Sequence, residues 1–265
     1  MKDILEEIVA YKHIEVAAQK ELLPPRKLYA EVERMMARGI TRRSLSQALT
    51  ADAVGIIAEF KRKSPSKGWI KEDGKAEEIP LAYEQAGAAA LSILTDEKYF
   101  GGSLDFIRKA RPHVGIPILR KDFIIDEYQL FQARHAGADA VLLIAVDLTR
   151  QEVRSLTATA HELALEVLLE LHSEHELDYA ETDVDAVGVN NRNLGTFVTD
   201  VQNSFRMASR LPQDRVLVSE SGIASSDTIR LLRGAGYRGF LIGESFMKTD
   251  DPGRALKEFI KEMAS

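Results

Sequence analysis

Eight short apolar runs pace the chain: Val54–Phe60, Ala89–Leu94, Pro117–Lys121, Ala140–Val146, Glu166–Leu171, Ala186–Asn190, Val216–Ser219 and Gly239–Ile242. Each has the length and unbroken apolar character of a strand buried on both faces. They recur about every 26 residues, the length of a strand followed by a helix. Helix starts fall between them. Thr149-Arg150-Gln151-Glu152 and Ser173-Glu174-His175-Glu176 read as capping boxes, and Asp126-Glu127-Tyr128-Gln129 as the Asp-led form. Asp251-Pro252 puts a capping residue before proline at a first helical position.

The first fifty residues lack this alternation. Ile4, Leu5, Ile8, Val9, Tyr11 and Val16 form a helical stripe that Pro24-Pro25 ends. A second helix carries Leu28, Val32, Met35 and Met36 on one side, with Gly39 just past its end. A short third segment, Ser44 to Leu49, leads to the first strand. This front piece is too small for its own core, so it packs on the main fold. A faint repeat runs through the rest. Gly87, Gly137 and Gly236 each end a helix that delivers the chain into an even-numbered strand. The expected architecture is an α/β fold, a (β/α)8 TIM barrel with an N-terminal helical extension. An open doubly wound sheet has no reason to stop at eight units. One domain is expected over 1–265, with the extension over 1–50 and the barrel over 51–265.

Composition narrows the function classes. A length of 265 residues suits one such barrel. The chain has no cysteine, so disulfides, thiolate ligands and a thiol nucleophile are excluded. Its 35 basic and 41 acidic residues give a net charge of -6, with no like-charge block of the kind that binds nucleic acid. Met1–Glu7 is too acidic and interrupted for a signal peptide, and the longest apolar run, Ala140–Val146, is far short of a membrane span. The expectation is a cytoplasmic monomer acting on a small molecule, with no nucleic-acid or membrane partner.

The strand ends carry the chemistry. Glu59 and Lys61 close the first run, Lys121 the third, Glu170 the fifth, Asn190 and Arg192 the sixth, and Glu220 the seventh. Residues two apart on a strand share a face, so Glu59 and Lys61 point the same way. In a parallel barrel all these ends lie on one mouth, where such folds place their sites. Ser219-Glu220-Ser221-Gly222 and Gly243-Glu244-Ser245 follow the last two strands. Small residues there let backbone N–H groups of Gly222, Gly243, Glu244 and Ser245 approach a phosphate. The charged loop from Ser64 to about Lys75, with Trp69, is expected to close over a ligand. His172 and His175 straddle a helix start, with no third ligand evident, so no metal site is expected.

These residues resemble a known family. Ile57-Ala58-Glu59-Phe60-Lys61-Arg62-Lys63-Ser64-Pro65-Ser66 is similar to the signature of indole-3-glycerol-phosphate synthases. Lys98-Tyr99-Phe100, Leu119-Arg120-Lys121-Asp122-Phe123, Leu169-Glu170, Asn190-Asn191-Arg192-Asn193-Leu194, Ser219-Glu220-Ser221-Gly222 and Ile242-Gly243-Glu244-Ser245 match in the same order. The one departure noticed is Phe246, where leucine is usual.

The resemblance implies conversion of 1-(2-carboxyphenylamino)-1-deoxyribulose 5-phosphate to indole-3-glycerol phosphate, carbon dioxide and water, with no metal or organic cofactor. It implies Lys121 as proton donor to the ketone oxygen, Glu170 as base, Lys61 as an anion-binding and acid group, and Glu59 as the residue orienting the lysines. Ser64, Phe100, Asn190, Arg192, Glu220, Ser221, Gly222, Gly243, Glu244 and Ser245 are expected to contact the substrate or fix these groups, with Phe100 against the aromatic ring. How acid and base duties divide among Lys61, Lys121, Glu59 and Glu170 stays open. Two other readings also stay open: a class I aldolase or related sugar-phosphate lyase with Lys121 as Schiff-base nucleophile, and a barrel that binds a phosphorylated ligand without catalysis.

Overall fold

The computed structural model describes residues 4–52, 54–193 and 195–264. Leu194 and Met1–Asp3, which entered the sequence reading, lie outside them. Eight parallel strands close into a barrel: β1 (Ile56–Phe60), β4 (Ala90–Leu94), β5 (Ile118–Lys121), β6 (Ala140–Ile144), β7 (Glu166–Leu171), β8 (Ala186–Asn190), β9 (Val216–Glu220) and β10 (Gly239–Ile242). Between β1 and β4 a small antiparallel hairpin, β2 (Lys63–Ser64) and β3 (Gly68–Trp69), leans out from the mouth. Each barrel strand pairs with its neighbours in sequence, and β1 closes the ring against β10. Helices α4 (Ile79–Ala86), α5 (Leu104–Ala110), α6 (Glu127–Ala136), α7 (Arg150–Glu162), α8 (Gln202–Ala208), α9 (Ser226–Gly234), α10 (Glu244–Met247) and α11 (Pro252–Ala264) succeed them in order.

All eight expected strands are present: β1, β4, β5 and β6 are trimmed, β7, β8 and β10 keep the expected bounds, and β9 is one residue longer. Val54 drops out because Gly55 turns the chain at φ 71° before β1. Val146 falls in a 3₁₀ turn, Ala145–Asp147, and Glu220 joins β9. Capping boxes form at Thr149 and Asp126, and Asp251 caps α11 through the Arg254 N–H. The box expected at Ser173 does not form. Its hydroxyl donates to Glu176, whose other oxygen accepts the His172 N–H, and a 3₁₀ segment, Glu174–Glu181, comes next. Glu176 is drawn toward His172 and is lost to the cap.

The strands are buried on both faces, and their alternation splits the core in two. Ile56, Ala58 and Phe60 of β1, with Val167, Leu169 and Leu171 of β7, pack outward under the helices. Ile57, Leu119, Leu142, Leu168 and Val218 fill the interior. The extension supplies both ends of that interior core. Helix α3 (Leu45–Ala51) closes the bottom with Leu45 and Leu49, and Glu166 at the start of β7 accepts the Ser46 N–H at 2.8 Å. Helix α1 (Ile4–Leu22) brings Leu5 and Ile8 to the mouth. Helix α2 (Pro25–Ala37) lies against α6, with Tyr29 stacked on Phe131 at 3.7 Å.

The end of α1 is held from a distance. Buried Tyr128 shares its hydroxyl proton between the Gln19 and Leu23 carbonyls at 3.1 and 2.8 Å, beside the Leu23 N–H that closes the last turn onto Gln19 at 2.9 Å. Tyr128→Phe should therefore lower unfolding free energy by about 1–2 kcal/mol. Urea unfolding measures the loss, and hydrogen exchange should place the loosening in the last turn of α1.

Candidate active site

Alternation and register assemble the site. In β1, Ile57 and Glu59 face inward while Ile56, Ala58 and Phe60 face out. The same parity brings Lys121, Glu170, Asn190 and Glu220 into the top layer of the barrel interior. Glu220 lies opposite Asn190, and Glu170 opposite Gly188. Together with Lys61 and Arg192 they line an open cleft of about 300 Å³. Leu94, Phe100, Phe123, Leu142 and Ile144 form its apolar wall. A few converging polar groups in an apolar-walled cleft is the usual make-up of a small-molecule site.

Lys121 is the centre of the polar layer. Its Nζ donates to Glu170 Oε2 at 2.6 Å and to Glu220 Oε2 at 3.0 Å. Burial works against the ammonium, but Glu170, Glu220 and Glu59 outweigh it and raise the pKa well above the usual lysine value. Burial would also raise Glu170, yet Lys121 and His172 hold it ionised, well below the usual carboxylate range. Its Oε1 accepts from Asn190 Nδ2 at 3.0 Å and lies 3.1 Å from His172 Nε2. Burial likewise disfavours a charged His172, but Glu170 and Glu176 lift it to about 10. Glu220 is the opposite case. Burial, offset only partly by Lys121, pushes it up to about 8, and the charge of Glu170 adds to the rise. The layer favours an ammonium at Lys121 and an ionised Glu170, while burial makes Glu220 the carboxyl most disposed to take up a proton. Two carboxylic groups a few ångströms apart thus differ in proton affinity, the arrangement that separates base from acid.

Two glycines make room for these carboxylates. A Cβ on Gly188 would lie 2.3 Å from Glu220 Oε1, and one on Gly243 would lie 2.3 Å from Glu59 Oε1. Gly243 was expected only to admit an anion, and the structure gives it this second task. Glu59 accepts a hydrogen bond from Lys61, as their shared face predicts.

Most expected residues meet in the cleft: Glu59, Lys61, Phe100, Lys121, Glu170, Asn190, Arg192, Glu220, Ser221, Gly222, Gly243, Glu244 and Ser245. Ser64 does not line it. Its hydroxyl accepts the Lys67 N–H at 3.2 Å, and it borders an adjoining side cleft with Leu5, Ile8, Phe100 and Phe123. Ser221 and Gly222 both take left-handed backbone, at φ 68° and 74°, after β9. Gly222 also abuts Thr199, whose Cγ2 would lie 2.5 Å from an added Cβ, so that position is conformationally demanding as well as open to ligand. Arg192 Nη1 donates to Ser66 Oγ at 3.1 Å and so ties the β2–β3 hairpin to the mouth. Phe246 lies buried away from the cleft, edge-on to Tyr83 and Phe259.

Several site residues escaped the sequence reading. Phe123 lies two residues after Lys121, and His172 two after Glu170. The rule that paired Lys61 with Glu59 applies equally to them and would have found both. Nothing local marks Glu176 or Gly188. Among the described residues, no group of three or more His, Asp or Glu is arranged to hold a metal ion.

Comparison with known proteins gives the same direction. A family profile described as indole-3-glycerol phosphate synthase matches residues 5–259. The chain is 59% identical over 261 residues to an indole-3-glycerol phosphate synthase from Bacteroides thetaiotaomicron, covering 98% of this chain and 99% of the relative. It is 44% identical to one from Chromobacterium violaceum, covering 97% of each. Among solved structures, thiamine phosphate pyrophosphorylase from Pyrococcus furiosus superposes with a TM-score of 0.61 at 16% identity, over 83% of this chain and 98% of that one. The alpha subunit of tryptophan synthase from Legionella pneumophila does so at 0.60 and 14%, over 84% and 97%. At such identities these two share the fold alone.

The geometry makes two outcomes testable. Gly188→Ala should push Glu220 off Lys121 and lower turnover at least about tenfold while the melting temperature moves little, because the displaced atom is a side-chain end. Steady-state kinetics with a melting curve checks it. The second concerns pH. Folded Glu220 keeps its proton up to about 8, against an ordinary value of 4.5, so its burial favours folding below pH 4.5 and that contribution is lost as pH rises through 8. Glu220→Gln removes the dependence. Urea unfolding at pH 5, 7 and 9 should show the variant gaining on the parent as pH rises.

Proposed function

The chain belongs to the indole-3-glycerol phosphate synthase family, the carboxy-lyases that form the indole ring in tryptophan biosynthesis, and we propose how its barrel mouth divides that work. The reaction takes 1-(2-carboxyphenylamino)-1-deoxyribulose 5-phosphate to indole-3-glycerol phosphate, carbon dioxide and water. The ring carbon that bears the carboxylate attacks the sugar ketone. Lys121 gives a proton to the developing alkoxide and stabilises its charge on the way. Loss of carbon dioxide then returns the bonding electrons to the ring. Glu170 removes one of the two protons on the sugar C1, and the hydroxyl leaves as water with a proton from Lys61; the other C1 proton stays on the indole ring. Glu59 holds Lys61 in place.

The observation that carries this assignment is the ion cluster around Lys121, 2.6 Å from Glu170 and 3.0 Å from Glu220. It keeps Lys121 an ammonium, the form an acid needs, and Glu170 an anion, the form a base needs. Glu220, which burial disposes to hold a proton, lies 3.0 Å from Lys121 and is within reach to return one to it after the first step. The aldolase reading needs a neutral amine at Lys121, which the surrounding carboxylates oppose.

The substrate lies with its aromatic ring against Phe100 and Phe123, its carboxylate toward Lys61 and Arg192, and its phosphate at the loops after β9 and β10. Backbone N–H groups of Gly222, Gly243, Glu244 and Ser245 hold that phosphate, and Asn190 and Ser221 contact the sugar. The β2–β3 hairpin closes over the bound substrate. The enzyme works in the cytoplasm as a monomer. Among the described residues, no helix is long and apolar enough to cross a membrane.

Incubating purified protein with the carboxyphenylamino-deoxyribulose phosphate and following indole absorbance tests the reading. Product should accumulate, and Glu170→Gln should slow it by roughly 10²–10⁴ with the fold intact, the usual worth of one placed acid–base group. Near-native turnover in that variant would remove Glu170 from the chemistry.

A further inference from the structure

Lys12 is a fully buried lysine outside the cleft. It projects from α1 and spends its ammonium on three carboxylates. Nζ lies 2.8 Å from Asp96 Oδ2, 2.9 Å from Asp122 Oδ1 and 3.0 Å from Glu15 Oε2. Burial opposes the charge, and the carboxylates overcome it, raising the pKa above the ordinary lysine value. An apolar residue would pack in such a place at less expense, so stability alone does not account for the lysine.

The two aspartates show what the cluster holds. Asp96 turns its other oxygen, Oδ1, to the backbone N–H groups of Tyr99 and Phe100, at 2.8 and 3.3 Å. Asp122 Oδ1 accepts the N–H of Phe123 at 2.9 Å, while Oδ2 takes Arg120 at 2.8 Å and the Thr95 hydroxyl. Phe100 and Phe123 both line the cleft, with ring centroids 6.1 Å apart. A single cation from the extension therefore braces the backbone under both aromatic walls. Asp122 has Arg120 besides. For Asp96, Lys12 is the only cation within 4.0 Å among the described residues.

We propose that Lys12 is a positioning residue that sets the Phe100–Phe123 wall for the aryl ring of the substrate, acting through Asp96 and Asp122. This rests on the proposed placement of the ring against Phe100. Removing the ammonium leaves the Asp96 charge buried without a cation, so Asp96 turns away and frees the Phe100 segment. The loss falls on ring binding, since the phosphate loops and Lys121 are untouched.

The test compares Lys12→Met, the double variant Lys12→Met/Asp96→Asn, and Phe100→Ala, each checked by circular dichroism. Asparagine keeps the Oδ1 acceptor for Tyr99 and Phe100 and removes the stranded charge. Lys12→Met should raise KM about tenfold with kcat within about threefold of the parent. Inorganic phosphate should inhibit it as it inhibits the parent. The double variant should recover most of the KM, and it carries the test alone should Lys12→Met fail to fold: a near-parental KM then supports the brace, and a KM as high as that of Phe100→Ala overturns it. A folded Lys12→Met with parental KM, a fall confined to kcat, or a double variant without recovery overturns the proposal. Phe100→Ala separates the two levels. If it raises KM while Lys12→Met does not, only the role of Lys12 fails. If it leaves KM unchanged, the ring is elsewhere and the placement beneath the proposal fails with it.

Discussion

Lys121 is buried among carboxylates at the top of the barrel, 2.6 Å from Glu170 and 3.0 Å from Glu220. Taking these groups out of water is costly, and their mutual attraction recovers that cost only in good geometry. As structure, a layer of leucines would serve better. As chemistry, the layer fixes protonation states. Lys121 keeps its proton, Glu170 gives its proton up, and burial pushes Glu220 toward holding its own. Each state depends on where the others sit, so moving one side chain changes all three.

The rest of the molecule serves that layer. Parallel pairing brings the strand ends to one level, and alternation turns Glu59, Lys121, Glu170, Asn190 and Glu220 inward while the aliphatic residues between them pack under the helices. Gly188 and Gly243 leave the volume that Glu220 and Glu59 occupy. Glu176 holds His172 beside Glu170 and gives up a helix cap to do so. The extension completes the barrel at both ends, with α3 sealing the bottom and α1 walling the mouth.

The architecture was legible because a barrel strand is written in the chain as an apolar run, and each of the eight runs became a strand. Their charged ends were legible for the same reason, since charge after a buried run is rare without a task. Boundaries slipped where backbone conformation decided them, at Gly55 and in the 3₁₀ turn after Ile144. The Ser173 box failed because Glu176 accepts the backbone N–H of His172, one residue ahead of the cap, while the Ser173 hydroxyl donates to Glu176 instead of accepting from it. Phe123 and His172 were within reach of the two-residue rule and were passed over. Lys12 was not, because on a helix bearing several charges nothing distinguishes a buried lysine until Asp96 and Asp122 arrive from the loops after β4 and β5.

The central claim is that Lys121 acts as a charged proton donor and never as an amine. Borohydride reduction in the presence of substrate, followed by mass spectrometry of the peptide that carries Lys121, tests it most directly. An ammonium held by Glu170 and Glu220 forms no imine, so the account predicts an unmodified peptide recovered while product accumulates. A stable reduced adduct on Lys121 would contradict it.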